Sequence, residues 1–423
     1  MQKKIAIGLL GLGTVGSGVV KVLSKFDNIE IKKIAVKNLA KTRNIKKLNP
    51  EILTDNPEAL INDPEIKIVI EVMGGINPAL ELLTQAIKNG KHIVTANKEL
   101  IAKHGKILFE LAKKHNVVIL YEAAVAGGIP IVMPIVQSLA GNKISKIAGI
   151  LNGTTNYILT KMEEEGSDFE QVLKEAQALG YAEADPKGDV QGYDAAYKIA
   201  ILSSIAFNKR ININEIYKDG ISNISPEDIK HANEFGYKIK LIALAQDCGE
   251  TLDIRVHPML VPKKHPLASI NDVLNAIVVE GDAVGQVMFS GPGAGEFPTA
   301  SSIAGDVLSI AGEIEKTGYP LPIMRCKHDD TNAKILDINE TKNKYYINVQ
   351  TENLPGVVGD LGTICGKHGI NLYSIIQQGV VKDKTASIVL LTETASEKNI
   401  QSAVKEISER PTVKSIKNLI RVM

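Results

Sequence analysis

The chain has 423 residues, 44% of them hydrophobic and 23% charged, too many for one ordinary core and suited to two or three domains of roughly 100–200 residues each. Its 49 Lys+Arg and 48 Asp+Glu nearly cancel, which argues against disorder and against general affinity for nucleic acid or an anionic membrane, and leaves small molecules as the expected partners. Cys248, Cys326 and Cys365 show no CxxC or Cys/His spacing, and the apolar run at the start is short, broken by glycine and without a cleavage site; buried free thiols in a reducing compartment, the cytoplasm, are the expectation.

From residue 1 to about 130, short β-branched runs alternate with helical patterns: "KIAIGLL", "IEIKKIAV", "IKIVIEV", "HIVTAN" and "VVILYEAAV" read as strands. Continuous apolar runs of this kind fit parallel strands buried on both faces. Between them, "NPALELLTQAIKNG" opens on Asn-Pro and closes on Gly, the start and stop signals of a helix. The fold class is therefore α/β, with a doubly wound, Rossmann-like parallel sheet first.

"GLGTVG" follows the first strand and opens a helix, which makes Gly11, Gly13, Thr14, Val15 and Gly16 the candidates for holding a dinucleotide. Glycines there permit a tight turn and close backbone approach to a pyrophosphate, and a helix N-terminus favours the anion. After the second strand an NAD-binding chain would place an acid on the ribose. Here "AVKNLAKTR" supplies Lys37, Asn38, Lys41 and Arg43 instead. That favours NADP, with NAD possible; solvated loop lysines are the alternative reading. Thr95 and Lys98 in "TANKEL" follow another strand's carboxyl end, where open α/β sheets place ligand contacts, although a plain helix start would explain the lysine too. "YEAAVAGGIP", residues 121–130, could ligate a hard cation through backbone carbonyls, or simply pack closely.

Residues 131–298 read as an α+β domain, with helices over 168–179 and 226–246 and β-like runs at 144–150 and 252–261. In "LNGTTNYIL" Gly153, Thr154 and Thr155 precede a helix, and a cap alone would account for the threonines. The glycine-rich stretch "GPGAGEFPTASS" opens a helix near 299–315 and is expected to return the chain to the first domain over about 299–325. A polar linker follows at 326–344. Residues 345–423 spell strand 345–351, helix 356–368, strands 370–378 and 386–393, helix 396–409 and strand 412–421, the ferredoxin-like βαββαβ order.

The densest chemistry lies in "GYAEADPKGDVQGYDAAYKIAIL", residues 180–202, where Glu183, Asp185, Asp189 and Asp194 precede Lys198. Asp194 and Lys198 are four apart and share a helix face. An ordinary surface ion pair is the bland alternative. The helix is nearly apolar all round, however, so burial is expected, and a buried lysine held by a carboxylate is a competent proton donor. Clustered acids before it would suit a substrate carrying a protonated amine.

With these motifs in this order, the first 320 or so residues resemble the homoserine dehydrogenase family, and the tail with "LPGVVGDLGTICGKHGINL" resembles an ACT domain. The resemblance implies NAD(P)-dependent interconversion of L-aspartate 4-semialdehyde and L-homoserine, on the way to threonine and methionine. It implies Lys198 as proton donor, Asp194 to orient it, and Lys98 between nicotinamide and substrate. Glu183 would bind the substrate ammonium, with Asp189 supporting the loop and Tyr181 and Thr154 also at the substrate. Gly153, Thr154 and Gly295 would lie at the cofactor. A monovalent cation such as sodium would sit on backbone groups of Glu122, Val125, Gly127 and Ile129. The same resemblance implies a homodimer or homotetramer; in the tail, the glycine turn of "NLPGVVGDL" before a helix start could clamp an amino-acid effector, threonine being the natural candidate, or the module could serve only to dimerise. Lys37 departs from the family, which often carries Arg there, and loses the planar fork that Arg offers a phosphate. A different amino-acid dehydrogenase on this scaffold and a non-catalytic nucleotide sensor are the competing readings.

Overall fold

A computed structural model describes residues 4–43, 45, 48–317, 331–381 and 385–423. Cys326 and residues 326–330 of the expected linker lie outside the described residues. The chain divides into two compact units, one formed by Met1–Gly153, Asp194–Glu215 and Leu274–Ala333, the other by Thr154–Tyr193, Ile216–Val273 and Lys334–Met423.

In the first unit, β1 (Ile5–Leu10), β2 (Ile29–Ala35), β3 (Leu53–Thr54), β4 (Ile66–Glu71), β5 (His92–Thr95) and β6 (Ile119–Leu120) form a parallel sheet in the order β3-β2-β1-β4-β5-β6. Every residue of β1 is buried, as its unbroken apolar run requires. Helices α1 (Thr14–Leu23), α2 (Pro57–Ile61), α3 (Ala79–Lys88) and α4 (Lys98–Lys114) connect the strands. In the helix Glu296–Thr317, Ala300, Ile303, Val307 and Ile310 share one core with Val19 and Leu23 of α1 and with β1, while residues 318–325 of the expected return lie outside the described residues. Strands Ile144–Ile150, Leu274–Gly281 and Gly285–Pro292 form an antiparallel set in the same unit.

Two details differ from the sequence reading. The run expected as a strand over 117–125 pairs only at Ile119–Leu120 and then turns into a short helical turn, Glu122–Ala124, because the buried Glu122 carboxylate draws the backbone N–H groups of Ile131, Val132 and Met133 onto itself. Edge strand β3, two residues long, is too short to carry a period.

The second unit holds strands Tyr237–Asp247, Leu252–Pro262, Val413–Val422, Tyr345–Glu352, Thr385–Thr392 and Leu372–Val381 side by side in that order. The last four, with helices Val357–Lys367 and Glu397–Ser408, are the expected βαββαβ module. The expected helix over 226–246 is corrected: it stops at Glu234, Gly236 adopts φ +82°, and Tyr237–Asp247 continues as a strand. The Gly C-terminal signal and the alternation in "YKIKLI" outweigh helical periodicity there. The expectation of buried thiols holds for Cys365 and fails for Cys248, which is exposed. Among the described residues no helix is long and apolar enough to cross a membrane.

The module is joined to the preceding part of its unit by its last strand. Val413–Val422 pairs antiparallel with Tyr345–Glu352 and parallel with Leu252–Pro262 through Met259↔Arg421 and Leu260↔Val422. Arg421, 3% exposed, makes a two-pronged ion pair with the buried Glu397 at 2.7 and 2.6 Å, and its guanidinium lies 4.9 Å from the Tyr217 ring centre. Burial on its own would raise the Glu397 pKa, but the hydrogen bonds and charge of Arg421 outweigh it and lower the pKa. Removing one partner of such a pair strands the other charge in the interior. Arg421→Met should therefore cost roughly 3–5 kcal/mol in urea unfolding, and a loss near zero would contradict the pair's role.

Candidate active site

The cofactor loop is built by backbone geometry. Gly11 takes φ +104°, a conformation that glycine adopts without strain. A Cβ at Gly16 would stand 2.3 Å from the Gly11 carbonyl oxygen, whereas one at Gly13 would meet nothing within 4 Å. Gly13 is the N-cap of α1 and no side chain caps that helix, so its first turn, including Thr14 and Val15, is suited to an anion. Helix Glu296–Thr317 begins beside it: a Cβ at Gly18 would collide with the Glu296 carbonyl, and Lys21 bonds the Glu296 carboxylate at 2.6 Å. Gly295, at φ +123°, precedes that helix. After β2, the Arg43 guanidinium donates to the carbonyls of Lys41 at 2.8 Å and Asn38 at 2.7 Å, folding the cationic loop on itself.

Three segments of the first unit converge on Asp194. Helix Tyr193–Phe207 is buried over most of its length, as its apolar surface demands. Asp194 and Lys198, 7% and 8% exposed, share its inner face, with Lys198 Nζ 2.7 Å from Asp194 Oδ2. The same ammonium donates to the Leu151 carbonyl at 2.7 Å, just past strand Ile144–Ile150, and Asn152 Nδ2 donates to Asp194 Oδ2 at 2.9 Å. The other carboxylate oxygen, Oδ1, receives Lys98 Nζ at 2.8 Å. Lys98 is the first residue of α4, directly after the carboxyl end of β5, the edge at which the glycine loop follows β1. Burial on its own would raise the Asp194 pKa; the charges of Lys198 and Lys98, with hydrogen bonds from both, outweigh it and hold the carboxyl well below the usual carboxylate range. One carboxylate thus organises two ammonium groups, an arrangement able to stabilise and protonate an oxyanion.

Three further residues support this cluster and were not singled out from sequence: Asn152, Asn97, whose side chain caps α4 by accepting from Leu100 N at 3.1 Å, and Glu71, buried at the end of β4. A glutamate closing a strand whose other residues, save the exposed Lys67, are apolar was the available signal for Glu71. The Thr95 hydroxyl bonds Glu71 at 2.6 Å.

The remaining candidates divide between the units. In the second, Thr154 Oγ1 donates to the Tyr181 carbonyl at 2.6 Å, and the Tyr181 ring packs on Tyr157 with centres 5.0 Å apart. Glu183 is exposed, with its carbonyl bound by Gln177, and Asp189 is half-buried in the short helix Lys187–Val190. Gly153, which belongs to the first unit, begins the helix Gly153–Glu165. In the first unit the loop of Glu122, Val125, Gly127 and Ile129 is buried and turns through Ala126 and Gly127, both at φ +54°. The Glu122 carboxylate is taken by three backbone N–H groups, and Ser302 Oγ donates to the Gly127 carbonyl at 2.7 Å. Among the described residues no group of three His, Cys, Asp or Glu could hold a metal ion.

A glycine loop opening a helix beside a parallel sheet, with a carboxylate-bound lysine pair in the same unit, defines an NAD(P)-dependent oxidoreductase. Residues 11–122 match the family profile "Homoserine dehydrogenase, NAD binding domain", residues 130–308 that of "Homoserine dehydrogenase" and residues 345–412 that of the ACT domain. A homoserine dehydrogenase of Synechocystis is 47% identical over 99% of both chains. The crystal structure of a homoserine dehydrogenase from Thiobacillus denitrificans superposes with a TM-score of 0.94 at 40% identity, covering 100% of this chain and 98% of that one. A hyperthermophilic archaeal homoserine dehydrogenase in complex with NADPH superposes at 0.63 and 27% identity over 75% of this chain and 99% of that one. The chain belongs to the homoserine dehydrogenase family.

One buried cation of the second unit lies beneath the "NGTTN" helix. Lys240, 1% exposed, donates to Asn156 Oδ1 at 3.0 Å, the Ile270 carbonyl at 2.7 Å and Asn271 Oδ1 at 3.3 Å, all neutral oxygens. Burial, aided by the charge of Lys238, lowers its pKa from 10.5 to about 8. Between those values the unfolded chain binds the extra proton, so stability rises with pH through the window. Relative to Lys240→Met, the wild-type chain should gain about 2 kcal/mol of unfolding free energy from about pH 7 to about pH 9.5; parallel profiles in urea unfolding would contradict this.

Proposed function

We propose that this chain catalyses the reversible reduction of L-aspartate 4-semialdehyde to L-homoserine with NADP as preferred cofactor and Lys198 as the proton donor. The observation that carries the reading is the buried Asp194 carboxylate shared by Lys198 and Lys98; family membership supplies the substrate. When bound, the nicotinamide cofactor supplies or accepts the hydride. Lys198 gives its proton to the carbonyl oxygen as negative charge develops there, and takes it back from the hydroxyl in the reverse direction. Asp194 keeps Lys198 charged and aimed. With two ammonium groups against one carboxylate, the cluster carries a net positive charge that favours the alkoxide. Lys98, 42% exposed at its side chain, faces the reacting groups, and Glu183 binds the substrate ammonium with Asp189, Tyr181 and Thr154 around it.

Gly11, Gly13, Thr14, Val15 and Gly16 would hold the pyrophosphate, Arg43 the ribose 2′-phosphate, and Thr95, Lys98, Gly153 and Gly295 the nicotinamide end. The missing acid after β2 and the cations of the 37–43 loop favour NADP. With the Glu122 carboxylate already engaged by three backbone N–H groups, the 122–129 loop would offer a cation neutral backbone carbonyls, which suit a singly charged ion such as sodium better than a divalent one. At the ACT module Gly356, at φ +90°, opens helix Val357–Lys367 without a side-chain cap, a turn able to receive the charged groups of threonine.

Lys198→Met should lower kcat by about 1,000-fold or more while NADPH binding, followed by cofactor fluorescence, changes less than about threefold; retained turnover removes the proton-donor role. Initial rates with NADPH and NADH, each with and without L-threonine and with sodium or tetramethylammonium as the monovalent cation, test the rest. NADPH should exceed NADH by about tenfold in kcat/KM, threonine should slow the reaction, and tetramethylammonium should lower the rate. Equal cofactor efficiencies, threonine without effect or binding heat, or rates indifferent to the cation overturn the respective assignment.

A further inference from the structure

Glu71 is fully buried at the carboxyl end of β4, in the same sheet whose edge carries Lys98. A carboxylate at that depth is costly unless donors hold it. Three do. Glu71 Oε1 accepts the backbone N–H groups of Met73 at 2.8 Å and Gly74 at 3.1 Å, and Oε2 accepts the Thr95 hydroxyl at 2.6 Å. The first two fix the "VMGG" turn, whose Gly74 and Gly75 adopt φ +74° and +71°. That turn is also the floor of the cofactor loop, since a Cβ on Gly11 would meet the Val72 carbonyl oxygen at 3.0 Å and Met73 Cγ at 3.2 Å.

The third bond leads to the lysine. Thr95 Oγ1, donating to Glu71, accepts the Asn97 N–H at 3.0 Å. Asn97 in turn spans both sides: Nδ2 donates to the Gly75 carbonyl at 2.6 Å and Oδ1 accepts Leu100 N at 3.1 Å, capping the helix that Lys98 begins. The peptide before the lysine is held as well, by Ala96 N to the Glu71 carbonyl at 3.3 Å. From the Glu71 side chain to the Lys98 ammonium on Asp194, every link is a hydrogen bond of a buried group or one covalent step along the chain.

We infer that Glu71 is a positioning residue for Lys98: its carboxylate locks the "VMGG" turn and the "TANK" turn to each other, and so sets where Lys98 presents its ammonium to Asp194 and to the cofactor. The inference rests on the proposed role of Lys98. Glu71→Gln keeps the shape and an acceptor for the turn N–H groups, but replaces the acceptor of the Thr95 hydroxyl by a donor.

A double-mutant cycle tests it, with kcat and both KM values for homoserine oxidation measured in the wild type, Glu71→Gln, Lys98→Met and the pair. Glu71→Gln should lower kcat about tenfold in the wild-type background and less than about twofold in the Lys98→Met background, because the lysine it positions is gone. Thr95→Val, which removes the same hydroxyl bond, should reproduce the pattern. Equal losses from Glu71→Gln in both backgrounds, or wild-type rates in Glu71→Gln itself, overturn the inference. If Glu71→Gln does not fold, Thr95→Val takes its place in the cycle: a loss confined to the wild-type background supports the inference, and equal losses in both backgrounds overturn it. Full activity in Lys98→Met alone would instead overturn the role of Lys98, and the positioning inference with it.

Discussion

A single buried carboxylate governs the first unit. Asp194 sits where an ionised acid is expensive, and it is tolerated because Lys198, Lys98 and Asn152 each place a hydrogen-bond donor on it. These partners come from a helix interior, a helix start and the end of a strand, segments separated by up to about a hundred residues of sequence. The ion cluster therefore does two things with one set of contacts: it ties those segments together, and it leaves a net positive charge inside a largely apolar setting, where charge acts over distance more strongly than it would in water.

The second unit meets a different demand. Its C-terminal module could have been a bead on a tether, but the strand Val413–Val422 hydrogen-bonds to both Tyr345–Glu352 and Leu252–Pro262. Polar groups seal the junction: besides the Arg421–Glu397 pair, Asp228 Oδ1 accepts Tyr346 Oη and Asn348 Nδ2, each at 2.8 Å. Strand pairing and satisfied buried networks make the module part of one sheet, and strain can pass along such a sheet better than across a flexible linker. Asp219, next to the Tyr217–Lys218 strand on which Arg421 leans, hydrogen-bonds to Val256, and Ile221 to Val190 in the acidic loop.

The parts of this architecture that could be read from residues alone are those in which chemistry and periodicity agree. Unbroken apolar runs announced the parallel strands, "GLGTVG" the cofactor turn, and the one lysine on a greasy helix behind a cluster of acids announced the buried pair. The 226–246 segment misled because "IKLIALA" is as good an apolar run for a helix as for a strand, and only the placement of Gly236 decides. Lys98 could be suspected but not paired, since its partner lies 96 residues away, as the numbers 98 and 194 show. Asn152, Asn97 and Glu71 have no periodic signature; their meaning is in what they touch. Spacing names residues that meet along one element, whereas convergence of several elements is a property of the folded chain.

Helix α1 and helix Glu296–Thr317 share a core, and Lys21 reaches a partner 275 positions further on. On a ribosome, the dinucleotide-binding sheet thus emerges long before the helix that covers one of its flanks. Until that helix arrives, Val19, Leu23 and their neighbours present bare apolar surface, and a contact of such high sequence separation forms slowly. Birth of the nucleotide site is in this way deferred until most of the polypeptide exists, and the nascent sheet is the part of the molecule for which a chaperone's shelter would matter most.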